Sequence, residues 1–222
     1  MVNILSSSAV YGNPWCREEL QPFFQDKTRV LIIPFAFRDD VNTSEKLKEL
    51  YDSEYGRYYN FVVTPLLELG VKEQNITFLD YFDKNAEKAL DEIAKSDVIY
   101  FTGGLPDKMV ERVADYGIME ALKTYNGVVM GFSAGAMVQL EEYHITPDED
   151  YPAYCECRGL GYVKQMGIEV HFVKSEAQLK GIDKAIWSFG HKVYAIAEDG
   201  LLLVQDGNVK CIGNVTEYDL ER

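Results

Sequence analysis

Histidine is scarce in this chain, with three in 222 residues. Missing too are paired cysteine motifs, basic runs and long apolar stretches, and each absence removes a class of protein. The four cysteines, Cys16, Cys155, Cys157 and Cys211, form no CxxC pair and lack histidine-rich surroundings. A zinc site is therefore not expected, and they read as free thiols. No run of about 18 uncharged apolar residues exists to span a bilayer. Met1-Val2-Asn3-Ile4-Leu5-Ser6 has neither a basic region nor a long apolar core, so a cytoplasmic location is expected. Without a secretory signal, the acceptor patterns at Asn75-Ile76-Thr77 and Asn214-Val215-Thr216 carry no weight. Nothing basic offsets the formal net charge of −14, whose field repels phosphate backbones and anionic membranes. Nucleic acid and membranes are not expected as partners. Repeats, linkers and low-complexity tracts are also missing, which points to one domain over 1–222.

What is present is an alternation of short apolar runs with amphipathic segments, the pattern of an α/β fold with a mostly parallel sheet. Arg29–Phe35 reads as a strand buried on both faces. Strands are also expected at Val2–Ser6, Asn75–Tyr81, Asp97–Phe101, Gly127–Met130, Gly167–Phe172 and Val193–Ala197. A helical pattern runs from Thr43 to Gly70, with Pro65 expected to kink or split it. Further helices are expected at Asn85–Lys95, Pro106–Tyr125, Ala136–Leu140 and Ser175–Phe189. Thr146–Cys157, rich in acids, prolines and tyrosines, reads as a loop over the strand ends. A C-terminal β-hairpin joins Leu201–Val204 to Val209–Ile212 through Asp206-Gly207-Asn208.

Gly131-Phe132-Ser133-Ala134-Gly135 lies between an apolar strand and a helix. Such a sharp turn leaves no room for flanking side chains and lifts the serine hydroxyl above the sheet, as a nucleophile requires. The same spacing also serves plain tight packing, so the residues around it matter. A base is needed, and His171, at the end of an apolar strand, is the preferred one of three. His191 follows a helix end, where histidines commonly cap carbonyls, and His144 reads as a surface residue. The acid that orients the imidazole is expected at Asp148, with Asp150 next and Glu198 a more distant candidate. Gly103 and Gly104, with the amide of Ala134, are the expected oxyanion donors.

Phe101-Thr102-Gly103-Gly104, the G-x-S-A-G-A elbow from Gly131 to Ala136 and His171 together resemble the S51 serine peptidases, the family of dipeptidase E and the cyanophycinases. The resemblance spans nearly the whole chain. It implies a three-layer sandwich similar to class I glutamine amidotransferases (flavodoxin-like), and an acyl-enzyme reaction that calls for no metal or organic cofactor. It further implies a short-peptide substrate, cleaved by a serine-type exopeptidase or dipeptidase, with a carboxylate between serine and histidine that maps onto Asp148. Family members cleave beside aspartyl residues. Here the segment Phe172-Val173-Lys174-Ser175-Glu176-Ala177 is shorter than in dipeptidase E and lacks its arginine, for which Arg158, Lys174 or Lys180 are the substitutes. Amidotransferases carry cysteine at the elbow, where this chain has Ser133. An α/β-hydrolase-like esterase and a non-catalytic binding module are the remaining alternatives. A homodimer through exposed tyrosines is conceivable.

Overall fold

The computed structural model describes residues 1–219. Strands β1 (Val2–Ser6), β2 (Val30–Ile33), β3 (Ile76–Phe78), β4 (Val98–Phe101) and β5 (Val128–Phe132) are parallel, in the order β3-β2-β4-β5-β1. Every residue of β2 and β4 is buried, because successive side chains enter two different cores. Val30, Ile32, Val98 and Tyr100 join one core with residues of α1 (Pro14–Leu20) and α3 (Tyr59–Glu68). Leu31, Ile33, Ile99 and Phe101 join the other, with residues of α4 (Ala86–Lys95), α5 (Pro106–Asp115) and α6 (Met119–Thr124). Each such side chain contributes roughly 1.5–3 kcal/mol on burial, so a sheet this apolar requires helices on both faces. The result is the expected three-layer α/β sandwich.

The sheet continues past β1 through two antiparallel strands, β9 (Val193–Gln205) and β10 (Asn208–Tyr218), while β8 (Gly167–Glu169) pairs parallel with β9. Val193–Ala197 and Leu201–Val204, expected as separate strands, are therefore one strand of 13 residues. Its first part pairs with β8 and its last part with β1. A two-stranded sheet of β6 (Glu142–Ile145) and β7 (Cys155–Arg158) replaces part of the expected loop.

The long helix expected from Thr43 breaks at 52–58, after α2 (Ser44–Tyr51), and Pro65 lies inside α3. Gly56 packs against the Asp52 backbone so closely that a Cβ would fall 2.4 Å from the Asp52 nitrogen. The expected helix Pro106–Tyr125 divides into α5 and α6 around Gly117, whose φ of 83° interrupts it. Among the described residues, all four cysteines are free, and no helix is long and apolar enough to cross a membrane.

Candidate active site

The elbow is built by close backbone approach. A Cβ on Gly131 would lie 2.2 Å from the Gly135 carbonyl oxygen, and one on Gly135 would lie 2.1 Å from that of Phe101. Only glycine fits at either place, so α7 (Ala134–Met137) can start directly against β4 and β5, about half a turn earlier than the sequence pattern implies. Ser133 pays for this sharpness with φ 52° and ψ −121°, torsions that cost a non-glycine residue about 1–3 kcal/mol. Its amide is fixed by a 2.9 Å hydrogen bond to the Ser6 carbonyl at the end of β1.

His171 arrives from the opposite side. Pairing of β8 with β9 aligns Glu169 with Ala195, and the Phe172 amide donates to the Ile196 carbonyl at 2.9 Å. The expected strand thus ends at Glu169, and His171 takes φ 53°. The buried Ser7 hydroxyl accepts the His171 amide at 2.8 Å and donates to the Ile196 carbonyl at 2.7 Å. Gln178, in the capping box of α8 (Glu176–Phe189), donates to the His171 carbonyl at 3.0 Å. With its backbone held at both ends, the imidazole places Nε2 2.9 Å from Ser133 Oγ and Nδ1 2.5 Å from Glu198 Oε1.

The carboxylate beside His171 is therefore Glu198, and the expectation of Asp148 is corrected. Asp148 turns into its own loop, where Oδ1 accepts the amides of Asp150 and Tyr151 at 2.8 Å each, a local pattern that short acidic side chains favour. Asp150 pairs with Arg38 at 2.7 Å. Glu198 lies in β9 just beyond the stretch paired with β8 and before the stretch paired with β1. The order along the chain is serine, histidine, glutamate.

The expected oxyanion donors surround the same serine. Gly103 approaches it so closely that a Cβ there would lie 3.2 Å from the Ser133 Cβ, and Gly104, at φ 132°, rests against the Ala36 carbonyl. Among the described residues, the amides of Gly103, Gly104 and Ala134 have no hydrogen-bond acceptor. Two cavities meet at Ser133, His171 and Gly104. One, of about 290 Å³, includes His144, Thr146, Asp148 and Glu169; the other, of about 420 Å³, includes Arg38, Arg57, Tyr58, Phe61 and Phe132.

His144 is no surface residue. It is buried, with Nε2 2.7 Å from Glu169 Oε2, which also accepts the Thr146 hydroxyl at 2.9 Å. His191 stacks on Phe189 and borders neither cavity, and burial lowers its pKa. Arg158 pairs with Glu142 and Lys180 with Glu176; neither these two nor Lys174 borders either cavity. Tyr151 closes the first cavity, with its hydroxyl donated to Asp107. Burial, reinforced by that carboxylate, raises its pKa and keeps it a donor.

Residues 2–212 match the family model for peptidase family S51. The chain belongs to this family. The S51 peptidases are serine peptidases, and the fold of this member is shared with solved structures of similar size. A protein from Listeria monocytogenes assigned as peptidase E aligns at 18% identity and a TM-score of 0.66, over 96% of this chain and 98% of that one. A peptidase from an acI-B1 actinobacterium aligns at 18% identity and a TM-score of 0.63, over 98% and 93%. The sequence matches no curated protein.

Proposed function

We propose that this S51 peptidase hydrolyses short peptides through Ser133, His171 and Glu198. The observation that carries this reading is the hydrogen-bonded relay from Glu198 Oε1 through both ring nitrogens of His171 to Ser133 Oγ. Glu198 accepts the Nδ1 proton, which leaves the Nε2 lone pair facing the hydroxyl and stabilises the imidazolium that forms. As Ser133 Oγ attacks the peptide carbonyl, its proton passes to Nε2 and the carbonyl electrons move onto oxygen, beside the free amides of Gly104 and Ala134. Collapse expels the amine, which takes the proton from His171 and leaves an acyl group on Ser133. Water then repeats the sequence and releases the acid.

The relay is half exposed and bordered by cavities of about 290 and 420 Å³, which favours short substrates and an exopeptidase or dipeptidase role. A fluorophosphonate probe tests the nucleophile without knowledge of the substrate. Ser133 is expected to be labelled, and Ser133→Ala to remain unlabelled. An unreactive wild-type protein would overturn the reading and leave a binding module.

A further inference from the structure

The smaller cavity has an acidic wall reaching to the nucleophile. Glu169 is only 6% exposed, yet it borders the cavity that also contains Ser133 and His171. Both of its hydrogen bonds, from His144 and Thr146, arrive at Oε2; among the described residues Oε1 accepts none. His144 reaches Glu169 through Nε2 alone, and its buried Nδ1 has no partner among the described residues. Asp148 stands on the same wall, and among the described residues neither lysine nor arginine borders this space. Oε1 is absent from the buried atoms that lack a partner, so this oxygen is open to the cavity and available to a donor there. A charged N–H group supplies that donor with roughly twice the strength of a neutral one.

We infer that Glu169 binds a positively charged nitrogen of the substrate, either the peptide α-amino group or a basic side chain. This inference rests on Ser133 being the nucleophile, as proposed above. It gives the pocket the opposite sign to the aspartyl preference implied by the family resemblance. An aspartate side chain placed there would face Glu169 and Asp148 and gain no cation in return. The volume of about 290 Å³ accommodates one side chain.

The test compares kcat/KM for Lys-Ala, norleucyl-Ala and Asp-Ala, each with a free and an acetylated N-terminus. Wild-type enzyme is expected to favour the charged nitrogen by about tenfold, the scale set by one charge-assisted hydrogen bond. A basic side chain as the source shows as lysine over norleucine even after acetylation. An α-amino source shows as free over acetylated norleucyl-Ala. In Glu169→Gln the discrimination is expected to fall to within about twofold, through KM rather than kcat. Asp148→Asn, at the cavity rim, is expected to lower it by about threefold.

Equal rates for all six peptides, acetylated peptides cleaved as fast as free ones with no preference for lysine over norleucine, or undiminished discrimination in Glu169→Gln would each overturn the inference. Fluorophosphonate labelling is run beside the kinetics. An unlabelled wild-type enzyme means that the peptidase reading itself has failed, whereas a labelled one without charge discrimination sinks only the role of Glu169. If Glu169→Gln is not labelled, Asp148→Asn decides: unchanged discrimination there overturns the inference.

Discussion

Two histidine–glutamate pairs each bring their histidine to the same cleft, and they differ in almost everything except their chemistry. In His171–Glu198 the ring and the carboxylate are 48% and 60% exposed, and the far ring nitrogen meets the Ser133 hydroxyl. In His144–Glu169 they are 0% and 7% exposed, and the far nitrogen has no partner among the described residues. The connections are also reversed, since Glu198 holds Nδ1 of its partner and Glu169 holds Nε2. A carboxylate beside an imidazole is therefore not in itself a catalytic device. On the proposed mechanism, access and the occupant of the second nitrogen decide whether the pair moves a proton or holds a wall together.

This contrast makes mutations at the two histidines fall on different observables. His171→Ala is expected to lower kcat by about 10⁴-fold while changing the unfolding free energy from urea titration by less than about 1 kcal/mol, because an exposed pair adds little stability. A large unfolding shift with retained turnover would place His171 in the structural class. Glu198→Gln is expected to cost about 10³-fold in kcat by removing the acceptor that fixes the tautomer, whereas Asp148→Ala leaves kcat unchanged. Equal losses in these two variants would break the assignment of the acid. His144→Leu is expected to destabilise the protein by about 3 kcal/mol in urea unfolding, since Glu169 is left buried without its partner. Fluorophosphonate labelling of Ser133 should survive in that variant under folding conditions.

Parts of this arrangement were legible in the chain and parts were not. β2 and β4 were readable because Val30–Ile33 and Val98–Phe101 are apolar without interruption, which only a sheet covered on both faces explains. Ser133 was readable because Gly131 and Gly135 bracket it, and His171 because it follows an apolar run. Glu198 was harder to see. Glu198-Asp199-Gly200 has the composition of a turn, and nothing local reveals that β9 runs straight through it from one pairing partner to the next. The β6–β7 pair was masked by Pro147 and Pro152 in its connection. The burial of His144 depends on Glu169, 25 residues further along. What escaped reading was register and long-range pairing, which sequence pattern does not encode one residue at a time.

Ser133 and His171 both hold left-handed backbone torsions, with φ of 52° and 53°, where glycine would be the more comfortable tenant. Thermal selection alone would thus pull both positions toward inert residues, and only selection for turnover opposes that drift. A library screened for heat resistance without an activity assay should accumulate glycine at 133 and 171, yielding sturdier proteins that no longer cut anything.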